Sequence, residues 1–333
     1  MRAAVIGGGS WGTALASVLA ERGHDVGIWA REPELAEALT HQHENPRYLP
    51  GIKLPALWGT TDLERALTGA ELVVTVTPSH VTREILTKAA PFLAAHVPIC
   101  CATKGIENES LMTMSEVMED VLPPERHPYF SFLSGPSFAR EVALRLPTAV
   151  VVAARWERIG RFVQQAFALP MFRVYTSPDV VGVEYGGALK NVIAIAAGVA
   201  DGMGFGHNTR SGIITRGLAE ITRLAVRKGA NPMTLSGLAG MGDLVLTCTG
   251  ELSRNRQVGH RLGQGEAIDA ILSSMTQVAE GVKTAKSAHD LAAKLNVEMP
   301  LTDAVYSALY EGITAREAVA RLLSRELKPE IAW

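Results

Sequence analysis

Three spaced glycines set between a short apolar strand and a helix constrain this chain more than any other feature. Residues 3–6, Ala3-Ala4-Val5-Ile6, read as a buried strand. Gly7-Gly8-Gly9-Ser10-Trp11-Gly12 then turns directly into residues 13–22, where Ala14, Leu15, Val18 and Leu19 share one helical face. Gly23 stands where a helix C-terminal cap belongs. In this context Gly7-x-Gly9-x-x-Gly12 reads as a dinucleotide fingerprint, although the bare pattern also fits a tight turn that binds nothing. Gly7 allows the turn, Gly9 lets a pyrophosphate approach, and Gly12 lets the helix pack close to the strand with its N-terminus facing negative charge.

The pattern continues as alternating strand and helix. Residues 25–29, 72–77, 99–103, 130–133 and 148–153 read as strands, and 33–43 and 81–93 as helices. That alternation predicts a doubly wound, mostly parallel α/β sheet of the Rossmann kind. Beyond Ser177-Pro178-Asp179 the strand signal stops. Residues 180–200, 208–228, 265–274, 281–295, 300–310 and 314–324 all read as helices. The expectation is therefore an N-terminal Rossmann domain over 1–185 and an all-α domain over 186–333, which suits a length of 333 residues.

Composition narrows the function class. Charged residues are 20% of the chain and the formal net charge is −2, with no polybasic run, so neither nucleic acid nor an acidic membrane surface is expected as partner. Cys100, Cys101 and Cys248 make no disulfide framework or metal-ligand spacing, and they read as reduced thiols of a cytoplasmic protein. The apolar run 192–200 is too short to span a bilayer, so membrane insertion is not expected. Amphipathic helices in the second half suit a homodimer.

Ligands of parallel sheets bind beyond the strands' carboxyl ends. Lys104-Gly105, Ser134-Gly135-Pro136-Ser137 and Pro78-Ser79 all fall there. Lys190, after Gly186-Gly187-Ala188-Leu189 and before an apolar run, enters a partly desolvated cleft or lays its stem on the helix with its head in water. Asp243 lies in a glycine-rich loop, and Ser253-Arg254-Asn255-Arg256 opens a helix in a way that suits a phosphate monoester or a simple capped terminus. Arg31 follows the second strand, where NAD-selective sites place an acid, and predicts that NADP is accepted as well as NAD. His41 and His43 read as surface residues, Cys248 as a buried thiol, and His207 stays without a role.

Taken in order, several strings resemble the bacterial NAD(P)-dependent glycerol-3-phosphate dehydrogenases over essentially the whole chain. They are 7–14, Asn-Pro-Arg-Tyr-Leu-Pro-Gly-Ile-Lys-Leu-Pro at 45–55, Lys104-Gly105-Ile106-Glu107, 134–142, 188–192, Ile214-Thr215-Arg216-Gly217, 238–248, 253–256 and 277–281. The resemblance implies interconversion of dihydroxyacetone phosphate and sn-glycerol 3-phosphate for phospholipid synthesis. It implies Lys190 as catalytic proton donor and acceptor, with Lys104, Gly135, Ser137, Asp243, Ser253, Arg254 and Asn255 as substrate ligands. Around the dinucleotide it places Gly7, Gly9, Ser10, Trp11, Gly12, Arg31, Lys104, Ala139, Arg254, Val278 and Glu280. No metal is implied. Arg31 followed by Glu32, where relatives often carry a second base, fits use of both cofactors. A β-hydroxyacid dehydrogenase acting on a carboxylate, and a dinucleotide sensor without turnover, are the rival expectations.

Overall fold

The computed structural model describes residues 1–275, 279–327 and 329–330. Eight strands form one sheet: β1 (Arg2–Ile6), β2 (Asp25–Trp29), β3 (Trp58–Thr60), β4 (Leu72–Thr75), β5 (Ile99–Cys101), β6 (Phe130–Ser134), β7 (Thr148–Ala153) and β8 (Phe172–Ser177). Their spatial order is β3-β2-β1-β4-β5-β6-β7-β8, and every pairing is parallel except β6 with β7. The order reverses between β1 and β4, which opens a crevice at their carboxyl ends.

Helices α1 (Ser10–Glu21), α2 (Pro33–Glu37), α3 (Leu63–Leu67), α4 (Ser79–Ala89), α5 (Met114–Val121), α6 (Ala139–Ala143) and α7 (Glu157–Phe167) alternate with the strands. Two apolar layers result, one on each face of the sheet, built from Leu15, Leu19, Ile28 and Phe167 on one side and Leu67, Leu86, Val117 and Phe132 on the other. β3 and β8 were not legible as strands. β3 has three residues, and β8 alternates buried and exposed positions because it lies at the sheet's edge.

The chain continues as α8 (Val180–Gly202), α9 (His207–Arg227), α10 (Pro232–Leu235), α11 (Asp243–Thr249), α12 (Arg254–Gly263), α13 (Ile268–Ser273), α14 (Glu280–Leu295), α15 (Pro300–Tyr310) and α16 (Ala315–Leu323). α8 runs unbroken through the expected boundary at 185/186. The change of architecture falls at Pro178, between the end of β8 and the Asp179 side chain that caps α8 by accepting from the Gly182 amide. α8 is long and apolar enough to cross a bilayer, but 83% of its apolar window is buried inside the protein, as befits a core helix. Glu184 on α8 accepts from the amide and hydroxyl of Ser115 in the first turn of α5, tying the helical half to the sheet.

Glycines bring the backbones of α8 and α12 together, with Val192, Ile195 and Val199 of one helix and Val258 and Leu262 of the other packed in the same apolar cluster. A Cβ at Gly198 would lie 2.1 Å from the Arg256 carbonyl oxygen, and one at Gly259 would lie 2.0 Å from that of Ile195. Gly202 and Gly263 repeat the contact one turn on. Asp201 closes the crossing, accepting from Arg256 of α12 (2.8 Å) and Arg210 of α9 (2.9 Å). An apolar cavity of about 470 Å³, walled by residues such as Val199, Ile213, Leu301 and Val319, lies elsewhere in the helical half, and among the described residues none of the expected site residues lines it.

Gly198→Ala is expected to force α8 and α12 apart and cost about 1–3 kcal/mol by overpacking. Gly212→Ala, at an open position inside α9, is expected to stabilise by about 0.5–1 kcal/mol through helix propensity. Urea denaturation of the two variants checks both signs.

Candidate active site

The glycine loop is built by close approach. Gly7 has φ +126°, and a Cβ there would lie 2.7 Å from the Val76 carbonyl oxygen; a Cβ at Gly12 would lie 1.9 Å from that of Gly7. The Gly7 amide donates to Trp29 and the Val76 amide to Ile6, so the loop joins the carboxyl ends of β1, β2 and β4. At Gly9 a Cβ would meet nothing within 4 Å, beside the N-terminus of α1 where Ser10 and Trp11 begin. The Trp11 indole nitrogen is buried without a hydrogen-bond partner. Open space at a helix N-terminus and an orphaned donor beside it fit a dinucleotide pyrophosphate.

Further along the sheet edge, β5 delivers Lys104 and β6 delivers Gly135, at φ +133°. Lys104 Nζ donates to Asp243 Oδ2 (2.8 Å) and to the Gly135 carbonyl (3.2 Å). Lys190 Nζ, from α8, donates to the other oxygen, Asp243 Oδ1 (2.5 Å), and to Thr247 Oγ1 (2.9 Å). The Asp243 side chain is 1% exposed, Lys190 8% and Lys104 16%. A single buried carboxylate thus serves two ammonium groups.

Small residues allow this. A Cβ at Gly186 would lie 2.4 Å from the Ala239 carbonyl, and one at Gly187 would lie 2.6 Å from Ser134 Oγ and 3.6 Å from Lys104 Cγ. α8 therefore lies directly against β6 and against the π-type turn Leu238–Gly242 that leads into Asp243. Burial is the main effect on Lys190 and lowers its pKa to about 8; Asp243 opposes the shift and Lys104 adds to it. The alternative of a lysine head in water is excluded by its burial.

Three helix N-termini gather beside the lysines. Ser253 caps α12 by accepting from the Arg256 amide (3.2 Å). Asn255 donates to Asn191 on α8 (2.9 Å) and accepts from the Gly281 amide at the start of α14 (2.9 Å). Glu280 accepts from Ser79 at the start of α4 (2.7 Å), and a Cβ at Gly105 would meet both side chains. Arg254 is exposed in the first turn of α12, where the negative charge of Glu280 favours its guanidinium. Arg256 is taken up by Asp201, so the two arginines of the motif have separate partners.

Of the remaining expected residues, Ser137 donates to the Gly135 carbonyl (2.9 Å) and Ala139 opens α6. Arg31 stands apart at the far side of the glycine loop, 80% exposed and paired with Glu32 (2.9 Å). His207 is the exposed first residue of α9. Val278 lies outside the described residues. Cys100, Cys101 and Cys248 are buried, and burial pushes each thiol up to about 12. Sequence reasoning missed Thr247 and Asn45. Thr247 follows Asp243 by four residues, a same-face spacing on a helix that was there to be read. Asn45 is wholly buried and donates to the Gly8 carbonyl (2.9 Å) and to Thr13 Oγ1 (2.7 Å), a contact no local pattern announces.

Residues 2–159 match the family model described as NAD-dependent glycerol-3-phosphate dehydrogenase N-terminus, and residues 179–320 match its C-terminus counterpart. The chain is 60% identical to a glycerol-3-phosphate dehydrogenase [NAD(P)+] of Myxococcus xanthus, over 100% of this chain and 99% of that one. It is 59% identical to the same enzyme of Anaeromyxobacter dehalogenans, over 99% of this chain and 100% of that one. The crystal structure of glycerol-3-phosphate dehydrogenase from Coxiella burnetii superposes with a TM-score of 0.92 at 39% identity, covering 97% of this chain and 99% of that one.

Asp243→Asn is expected to leave two buried cations facing each other, to drop the Lys190 pKa below about 8 and to cost about 3–5 kcal/mol of stability. Titration of the Lys190 ammonium by NMR and urea denaturation measure the two effects. Thr247→Val removes one neutral acceptor and is expected to cost only about 1 kcal/mol.

Proposed function

Because the chain belongs to the NAD-dependent glycerol-3-phosphate dehydrogenase family, we propose that it interconverts dihydroxyacetone phosphate and sn-glycerol 3-phosphate with NADH or NADPH. The observation that carries this reading is the Lys104–Asp243–Lys190 cluster at the sheet's carboxyl edge, beside three converging helix N-termini. A nicotinamide dinucleotide, when bound, supplies or accepts the two-electron hydride at the substrate's second carbon. Gly7, Gly9, Ser10, Trp11 and Gly12 hold its pyrophosphate end, with Ala139 and Glu280 further along.

Lys190 donates a proton to the C2 oxygen as the ketone is reduced, and takes one from the hydroxyl in the reverse direction. Hydride and proton together balance the change from ketone to alcohol. Asp243 and Thr247 hold the Lys190 nitrogen in place, while Lys104 adds positive charge where the oxygen becomes anionic. Ser253, Arg254 and Asn255 at the start of α12 take the substrate phosphate, with Gly135 and Ser137 lining the opposite wall. Binding the phosphate then positions the carbonyl. No residue in this scheme needs a metal.

The sheet-bearing unit binds the cofactor and the helical unit, beginning after β8, carries the substrate groups. A homodimer through the helical half is supported by exposed apolar side chains such as Leu323 and Leu327. Residence in the cytoplasm, and supply of the phospholipid backbone, are supported by the three unbridged thiols and by the product's chemistry respectively.

Purified protein is expected to oxidise NADH and NADPH with dihydroxyacetone phosphate but not with dihydroxyacetone or a 2-keto acid; turnover of the acid instead would favour the β-hydroxyacid rival. Because Lys190 must carry a proton to donate one, kcat/KM for reduction is expected to fall as pH rises past about 8, while that for oxidation rises through the same range. Lys190→Ala is expected to abolish both limbs while leaving cofactor affinity intact. Arg254→Ala is expected to raise the KM for the phosphate substrate at least tenfold, the loss of about 1.4 kcal/mol or more of charge-assisted binding.

A further inference from the structure

The end of β2 carries a cluster that the catalytic scheme does not use. Glu32, one residue beyond Arg31, is 18% exposed and accepts from Arg31 (2.9 Å) and from the Tyr48 hydroxyl (3.2 Å). Arg47 stands 3.6 Å from the same carboxylate oxygen, its guanidinium 5.2 Å from the centre of the Tyr48 ring. Arg31 and Arg47 are 80% and 55% exposed. The carboxylate is the partly buried hub and the two guanidinium groups are its exposed arms.

Arg47 arrives from a different part of the chain, yet its place is well determined. Two residues before it, buried Asn45 donates to the carbonyl of Gly8, inside the glycine loop, and to Thr13 on α1. The Tyr48 amide closes back onto Asn45 Oδ1 (2.9 Å), and the Leu49 amide onto the Asn45 carbonyl (3.0 Å). Arg47 is therefore held between Asn45, anchored to the glycine loop, and Tyr48, anchored to Asn45 and to Glu32 at the end of β2. In a sheet of this topology that end receives the adenosine ribose of a dinucleotide.

The charges at this point are two guanidinium groups against one carboxylate, a net +1. A ribose 2′-phosphate, a dianion, can take both arginines; a bare 2′-hydroxyl needs one acceptor, which the carboxylate provides. We infer that Arg47 is a cofactor-selecting residue: with Arg31 it grips the 2′-phosphate of NADPH, and Glu32 is the exchangeable anion that keeps both arginines when the phosphate is absent and accepts the 2′-hydroxyl of NADH. This inference rests on the dinucleotide reading above. It accounts for a second base when the position after Arg31 is acidic, since the base comes from the loop before β3.

Direct binding separates the inference from the reading beneath it. Fluorescence titration measures NADPH and NADH affinity, and displacement of NADPH measures adenosine 2′,5′-bisphosphate against 5′-AMP, so no turnover is needed. Arg47→Ala is expected to weaken NADPH and the bisphosphate about tenfold or more while leaving NADH and 5′-AMP within about twofold; Arg47→Lys is expected to restore part of the loss. Glu32→Gln is expected to shift preference toward NADPH by tightening it and weakening NADH. Equal weakening of both cofactors by Arg47→Ala, which a merely structural role would give, overturns the inference, as does no weakening of NADPH. A wild-type protein that binds neither nucleotide overturns the dinucleotide reading itself.

Discussion

The Asp243 carboxylate is the point on which the other parts of this molecule depend. It is almost completely buried and carries a charge that the interior tolerates only because both oxygens are matched, one by Lys190 and one by Lys104. Those two lysines come from opposite halves of the fold, one from the long core helix and one from the end of a central strand. The ion pairs therefore also join the halves, at the carboxyl edge of the sheet. Desolvation keeps the Lys190 ammonium easier to deprotonate than a surface lysine, while the shared carboxylate prevents that shift from becoming so large that the charge is lost at neutral pH.

Packing is arranged to permit this cluster. The glycines before Lys190 bring its helix against β6 and the turn before Asp243, and a side chain at either position would meet backbone or Ser134. The glycine loop between β1 and α1 follows the same logic, with Gly12 seated against the Gly7 carbonyl. In both places the absence of a side chain is what allows polar atoms from different elements to share one volume.

How much of this could be read from the sequence depended on how local the cause was. The strand–glycine–helix opening is local: turn, helix face and cap all lie within residues 3–23, and the structure reproduces them. The alternation of β and α, and its end near residue 178, rest on periodicity and were legible too. The edge strand β8 was not, because only half of its side chains are buried, and neither was the three-residue β3. Lys190 stood out by its small neighbours, but its partner Thr247 and the depth of its burial come from contacts across more than fifty residues. Asn45 is the extreme case. Its sequence surroundings read as an ordinary proline-broken loop, and only the folded chain shows that it holds the segment containing Arg47 against the glycine loop. Arg31 was legible as a base, whereas its pairing with Glu32 and the approach of Arg47 were not.

The crossing of α8 and α12 has a consequence of its own. Lys190 and Asn191 lie on one helix, Ser253, Arg254 and Asn255 begin the other, and backbone touches backbone at Gly198, Gly202, Gly259 and Gly263. Side chains such as Ile195 and Val258 pack around this contact, but the closest approach is set by the main chains themselves. The two helices act as the arms of a locked calliper, with its gap set by peptide dimensions. A molecule held from both helices would be measured against that gap, and substitutions at the calliper's mouth would alter grip strength while leaving the spacing of the arms unchanged.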